Sequence, residues 1–363
     1  MMNDELKFSI VVPAFGVEKY ITDALGNLMH QTYDNYEVII VDDCSSDRTG
    51  DIAKKFCEQD DRFFYYRHDV NQGVSETRNT GIKNATGDYV LFLDPDDTYS
   101  TRLLEVAAHN LNRNPVDVLV YGHTEDYRNP DNGKIEFSKT IGLSDLECED
   151  DIFTTSDAVT IHKLTIQMEH HTMYGYPWNK VYKLSLIREN DLYFQVIKHI
   201  EDILFNAEYF EYVKSMTIVS DTLYHYRNQG QSRLTGGQIK DYFELQSRRV
   251  IRLYNQQQAW KTCDFEALGI LSAEYFRSFQ SNVVRMLDDG IDEDEILKWC
   301  NETAQTEMYN ELNKYLPDDS KVVKMLYKPA AQGLFGTVIR RAKMMGFTKK
   351  YFRTVFNKAK QIR

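Results

Sequence analysis

Short apolar runs, separated by stretches of helical spacing and by polar turns, organise the first hundred residues. Phe8 to Val12 is apolar and stops at Pro13. Tyr36 to Val41 stops at Asp42-Asp43, and Tyr89 to Leu93 stops at Asp94-Pro95-Asp96-Asp97. Runs this short, bounded by turn formers, predict buried strands, with Arg62 to Arg67 as a further one. Between them, Tyr20 to His30 places Ile21, Leu25, Leu28 and Met29 at helical spacing, and Ile52 to Cys57 and Val74 to Lys83 also read as helix. Strands alternating with helices predict βαβ units around a parallel sheet, whose ligands bind outside the carboxyl ends of the strands. Every carboxylate cluster in this stretch follows a predicted strand.

Beyond residue 100 the pattern predicts a helix over Thr101 to Asn114, a strand over Val116 to Tyr121 and a further strand within Ser215 to Tyr226. Tyr127 to Ile152 is polar and reads as a loop or excursion, and after about Leu234 the spacing is helical with no strand alternation. The expectation is an α/β domain over residues 1–234 and a helical region over residues 235–363.

Composition narrows the class. The chain has 363 residues, 42% of them hydrophobic, and no apolar run approaches the roughly 18 residues of a membrane span. Met1 to Lys7 is polar and lacks the pattern of a signal peptide, and the five cysteines are scattered without a CxxC pair. Both features predict a cytoplasmic protein with reduced thiols. The net charge is −12, yet residues 321–363 carry twelve Lys or Arg and no acid. An acidic body without a basic groove argues against nucleic acid as a partner. In the tail, Phe335, Val338, Ile339, Ala342 and Met345 form an apolar stripe beside Arg340, Arg341 and Lys343, and Tyr351, Phe352, Val355, Phe356 and Ala359 follow after Gly346. Basic amphipathic helices suit an anionic membrane surface. The same stripe would equally serve a helical bundle or the contact of a homo-oligomer.

Five segments carry candidate chemistry. Asp94, Asp96 and Asp97 crowd around Pro95 at a strand end, where a hard divalent cation relieves their repulsion; an ordinary acidic turn is the alternative. Asp42 and Asp43 accept from a base or ribose, or cap a helix. Arg78, one turn into a helix opened by Gly73, either points back at a ligand or is solvated. Glu201-Asp202, flanked by Ile200, Ile203, Leu204 and Phe205, offers a general base at a cleft wall or a pair of capping acids. Arg227 and Ser232, in a loop after a strand, could stabilise a departing diphosphate, and the nearby His225 is either a metal ligand or, as a lone histidine more often is, structural.

Taken in order, these segments resemble the inverting family 2 glycosyltransferases of GT-A fold. The resemblance runs from about residue 7 to 235 and implies a Rossmann-like, mainly parallel sheet flanked by helices, with a donor half over about 1–100 and an acceptor half over about 101–234. It implies that Pro13, Ala14 and Phe15 form the nucleotide loop, that Asp43 binds the uracil, and that Asn71, Gly73, Arg78, Asn79 and Gly81 form the next donor segment. Asp94-Pro95-Asp96 matches the Asp-x-Asp motif, with Asp94 on the ribose side and Asp96 on Mn²⁺ or Mg²⁺. Trp178 and Glu201 fall on the acceptor side, Asp202 on the catalytic base, and Arg227 and Ser232 on a diphosphate contact. The implied reaction moves a sugar from a UDP-sugar to a hydroxyl of a saccharide acceptor with inversion. A lipid-linked acceptor in surface-polysaccharide, capsule, teichoic acid or glycoprotein assembly would suit a tail held at the inner face of the cell membrane. Phe15-Gly16 stands where Tyr-Asn is commoner, Cys44 where Gly or Asn is usual, and Glu76-Thr77 where small residues precede the Arg. Asp94-Pro95-Asp96-Asp97-Thr98 also fits the signature of haloacid-dehalogenase-type phosphatases, although that motif normally ends a first strand. A non-catalytic nucleotide-sugar-binding subunit is the other rival.

Overall fold

The computed structural model describes residues 5–128, 134–146, 148, 150–197, 199–228, 241–318 and 320–351, the last six by backbone alone. The chain divides into two compact units, Met1–Gln238 and Ile239–Arg363.

The first unit is a mixed ten-stranded sheet flanked by helices. Its strands are β1 (Phe8–Ala14), β2 (Tyr36–Asp42), β3 (Phe63–Arg67), β4 (Tyr89–Phe92), β5 (Thr98–Tyr99), β6 (Val118–Arg128), β7 (Ile135–Ile141), β8 (Ile152–Thr155), β9 (Lys180–Lys183) and β10 (Met216–Asn228). The order across the sheet is β3-β2-β1-β4-β9-β6-β10-β5, with β7 on β6 and β8 on β10. The β3-β2-β1-β4 half is parallel throughout, as is the long β6–β10 ladder, and β9, β5, β7 and β8 insert antiparallel. β1, β2 and β4 are buried at every residue. Strands covered on both faces read as continuous apolar runs, which is why they stood out in the sequence.

The helices that position the site are α1 (Ile21–Met29), α2 (Thr49–Gln59), α3 (Val74–Asn84), α4 (Leu103–Arg113), α5 (Ala158–His170), α6 (Leu184–Glu189) and α7 (Glu201–Tyr209). Gly73 caps α3 with φ +90°, a conformation that glycine adopts without penalty. At Gly81 a β-carbon would meet Cγ1 of Val11 at 2.2 Å, so this glycine lets α3 lie close on β1.

Four strands fall where the sequence showed none, and β5 is only two residues long. β7 and β8 lie within or at the end of the polar stretch from Tyr127 to Ile152, and most of their side chains are exposed, so no apolar period marks them. β9 has only four residues and two are lysines, yet it is largely buried.

The second unit is helical: α8 (Tyr242–Trp260), α9 (Phe265–Asp288), α10 (Glu293–Thr303), α11 (Glu307–Leu312), α12 (Lys328–Ala331) and α13 (Phe335–Tyr351). Phe279 of α9 packs against Phe243, Trp299, Tyr309 and Phe335. The tail stripe is occupied here: Phe335, Val338, Ile339 and Ala342 are buried, and Lys343 pairs with Glu293 of α10. For residues 335–342 the bundle reading therefore describes the packing. Residues 352–363, which carry the second half of the tail pattern, lie outside the described residues. No described helix is long and apolar enough to cross a membrane.

Candidate active site

Two carboxylate-bearing loops meet the carboxyl ends of the parallel strands, and they differ in how their acids are satisfied. In the β2 loop, Asp42 Oδ1 accepts from Ser45 N–H at 2.9 Å, while Oδ2 accepts from the Tyr65 hydroxyl at 2.6 Å and Arg67 Nη1 at 2.9 Å. Asp43 accepts from Gln72 N–H at 2.8 Å and Gly73 N–H at 2.7 Å. His68 Nδ1 lies 2.7 Å from Asp43 Oδ1 and must donate, because an ionised carboxylate only accepts; His68 Nε2 lies 2.9 Å from the Thr80 hydroxyl. Both acids are buried and fixed by their own chain. Ala14 ends β1 beside them, its carbonyl accepting from Asp43 N–H, and Pro13 is buried one residue earlier. Phe15 is 47% exposed and open to stack on a planar group. Cys44 has φ +62°, a left-handed conformation that costs a β-carbon-bearing residue about 1–2 kcal/mol and explains why Gly or Asn would suit this turn.

The second cluster shares one cation. Arg78, on α3, is almost wholly buried and lies over the Phe194 ring with its guanidinium 5.2 Å from the ring centre. Its Nη1 donates to Asp202 Oδ1 and lies 3.7 Å from Glu201 Oε1, and its Nη2 donates to Asp94 Oδ1 at 3.2 Å. Three carboxylates thus face one guanidinium. Glu201 Oε2 is buried and has no hydrogen bond among the described residues. Burial pushes the Asp202 carboxyl up to about 8; Arg78 opposes this, and Glu201 and Asp94 reinforce it. Solvent still reaches 27% of the Asp202 side chain, which tempers the size of the rise but not its direction. Burial acts against the charged form of Arg78, and Asp202, Asp94 and Glu201 outweigh it, so its pKa is raised.

The turn after β4 separates its acids. Asp97 is buried and accepts from the Tyr224 hydroxyl at 2.8 Å and Arg227 N–H at 2.7 Å, tying the turn to β10. Asp94 side-chain exposure is 29%, and Asp96 is half-buried. His225 pairs with Thr98 across the β10–β5 ladder, one residue from Asp97. Arg227 Nη1 reaches Asp23 at 3.3 Å. Ser232 lies outside the described residues.

On the far side, Trp178 stacks between Tyr176 (ring centres 4.6 Å apart) and Tyr224 (4.2 Å), with Tyr226 beside it and His123 edge-on at 4.8 Å. Beneath, the buried Lys180 Nζ donates among four oxygens at 2.7–2.9 Å: the carbonyls of Met173, Tyr174 and Tyr176 and Oδ1 of Asn179. Burial pushes the Lys180 pKa down and Asp202 pulls it back; four acceptors additionally favour the ammonium. Asn206 Nδ2 holds the carbonyls of Tyr174 and Gly175, so the backbone carrying Tyr176 is fixed. A surface cavity of about 430 Å³, lined by Leu6, Gly87, Tyr89, Lys183 and Arg188 among others, opens beside the amino ends of β1 and β4, away from these acids.

Residues 9–174 match the family model described as "Glycosyl transferase family 2". Over that segment the chain is similar to glycosyltransferase family 2. Its relatives include EpsH of Bacillus subtilis, whose glycosyltransferase assignment is provisional, at 31% identity over 60% of this chain and 60% of EpsH. The poly(ribitol-phosphate) β-N-acetylglucosaminyltransferase TarS of Staphylococcus aureus is 26% identical over 69% of this chain and 41% of TarS. The chain therefore spans about three fifths of EpsH and two fifths of TarS. The crystal structure of residues 1–349 of S. aureus TarS in complex with UDP-GlcNAc superposes with a TM-score of 0.67, covering 95% of this chain and 92% of that one at 21% identity, and shows the shared GT-A fold.

In this chain the structure gathers Arg78, Asp94, Glu201 and Asp202 into one cluster, sets Pro13, Ala14, Phe15 and Asp43 at the neighbouring strand ends, and joins Pro95, Asp96 and Arg227 through the Asp97 turn. Trp178 is nearly buried, so its stacked neighbours Tyr176 and Tyr226, both half-buried, carry the accessible aromatic edge. Those two tyrosines, His68 and Phe194 escaped the sequence reading. The Tyr176-Pro177-Trp178 run and the alternation of Tyr224 and Tyr226 were the available signals. Asp94 follows the fourth strand in chain order, the context opposite to the one a phosphatase motif requires.

Proposed function

We propose that the chain transfers a sugar from a UDP-sugar to a hydroxyl of a saccharide or polyol acceptor, with inversion, in the assembly of a bacterial surface polymer. The observation that carries this reading is Asp202: a partly exposed carboxyl with a raised pKa, bridged by Arg78 to the Asp94 turn. In this reading Phe15 stacks on the uracil and Asp43 orders the loop that receives it. Asp94 meets the ribose side, and Arg227 approaches the diphosphate. An acceptor resting on the edge of Tyr176 and Tyr226 presents its hydroxyl to Asp202 Oδ2. The acceptor oxygen attacks C1, the C1–O bond to the diphosphate breaks, its proton passes to Asp202, and UDP departs from the opposite face.

The donor set bears on the metal. No group of three His, Cys, Asp or Glu able to hold a cation occurs among the described residues. Mg²⁺ and Mn²⁺ bind commonly through one or two carboxylates together with substrate phosphates, which Asp96 on this turn fits. Bound there, a divalent cation would neutralise charge on the leaving diphosphate.

TarS, as a poly(ribitol-phosphate) β-N-acetylglucosaminyltransferase, favours UDP-GlcNAc as the first donor to try. Release of UDP from UDP-GlcNAc, UDP-glucose and UDP-galactose with Mn²⁺ tests the proposal; no release from any of them, with or without saccharide acceptors, would sink it. Lipid linkage of the acceptor and attachment of the tail to the inner membrane face remain parts of the proposal, tested by flotation of the full chain with anionic vesicles.

A further inference from the structure

The sequence resemblance places Arg78 among the donor contacts, but its hydrogen-bonding capacity is directed elsewhere. Nη1 and Nη2 each meet a carboxylate, from residues 124 and 16 positions away in the chain, and Phe194 covers the guanidinium face. Nε is buried without a hydrogen-bond partner among the described residues, so it is turned toward no solvent-borne group. One planar group therefore spans the distance between the donor turn and the base.

We propose that Arg78 is a positioning residue of the transfer reaction: by holding Asp202 Oδ1 with one nitrogen and Asp94 Oδ1 with the other, it fixes the base relative to the donor turn and leaves Asp202 Oδ2 to the acceptor hydroxyl. The inference rests on the glycosyltransferase reading above. Rigid guanidinium geometry suits this task, whereas a lysine ammonium provides a point charge without the fork. The groups facing Asp202 are Arg78 from α3, Asp94 from the β4 turn, Glu201 from its own helix, and Lys180 and Tyr182 from β9. Of these, Arg78 is the cation in direct contact. Removing it leaves the carboxylates unneutralised, so the base should hold its proton to higher pH.

The test uses the full chain, UDP release from whichever of the three UDP-sugars is turned over, and calorimetric binding of UDP. Arg78→Gln should lower kcat about 100-fold, the low end of what a positioned base contributes. UDP affinity should stay near that of the unaltered chain, and the acid limb of the kcat/KM profile should move up by about one pH unit or more. Arg78→Lys should restore the acid limb while kcat stays low, because charge returns without the fork; if Arg78→Gln does not fold, this variant carries the test. A fall in UDP affinity that accounts for the whole loss, with the acid limb unmoved, would make Arg78 a donor contact and overturn the proposal. Absence of UDP release by the unaltered chain would instead sink the functional reading on which it rests.

Discussion

The two acidic clusters at the carboxyl edge of the sheet both gather carboxylates and have opposite chemistry. Asp42 and Asp43 accept six contacts from their own chain, from Ser45, Tyr65, Arg67, His68, Gln72 and Gly73, and each is buried. Asp94, Glu201 and Asp202 share one guanidinium, and one Glu201 oxygen is left without a hydrogen bond among the described residues. Acids saturated by local donors build a loop. Acids held together and under-neutralised keep a proton affinity that chemistry can use. The number of carboxylates says little; the supply of donors around each decides its use.

The largest effect should come from breaking the second cluster. Asp202→Asn should lower kcat by about 10²- to 10⁴-fold, the usual contribution of general base catalysis, with the fold retained by circular dichroism and UDP still bound. Unchanged turnover would remove Asp202 from the reaction. Next is the support beneath it: Lys180→Met strips donors from three buried carbonyls and should cost about 3 kcal/mol or more in chemical denaturation. A loss below about 1 kcal/mol, the net worth of a single hydrogen bond, would mean water replaces the ammonium there.

In the first cluster the same kind of change should act on stability instead. Asp42→Ala should destabilise by about 1–3 kcal/mol through the unpaired Tyr65, Arg67 and Ser45 groups, with kcat per folded molecule preserved. A kcat loss comparable to that of Asp202→Asn would erase the distinction between the clusters. Smallest of all, Cys44→Gly should stabilise by up to about 1 kcal/mol by relieving the left-handed backbone, and a lowered melting temperature would refute strain at that turn.

Much of this architecture was legible in the sequence because β1, β2 and β4 are buried on both faces and end in acids and prolines. β7 and β8 were not, since exposed strands show no apolar period, and β9 hides its burial behind two lysines. The candidate site was named in the sequence as a set of positions. Its wiring was not: Arg78 reads equally well as a solvated helix residue, and only tertiary folding brings Asp202 to it from 124 positions away. Likewise, nothing in Trp178-Asn179-Lys180 reveals that three carbonyls converge on the lysine, because backbone acceptors have no sequence signature.

The pH dependence of kcat/KM for UDP-sugar turnover by the unaltered chain tests the central claim most directly. Burial and two neighbouring carboxylates raise Asp202, so as the proposed base it should be protonated at low pH and lose its proton as pH rises toward about 8. The account predicts an acid limb well above the ordinary carboxylate range near 4. A profile flat from pH 8 down to about 5 would show a base ionised like any exposed aspartate and would contradict it.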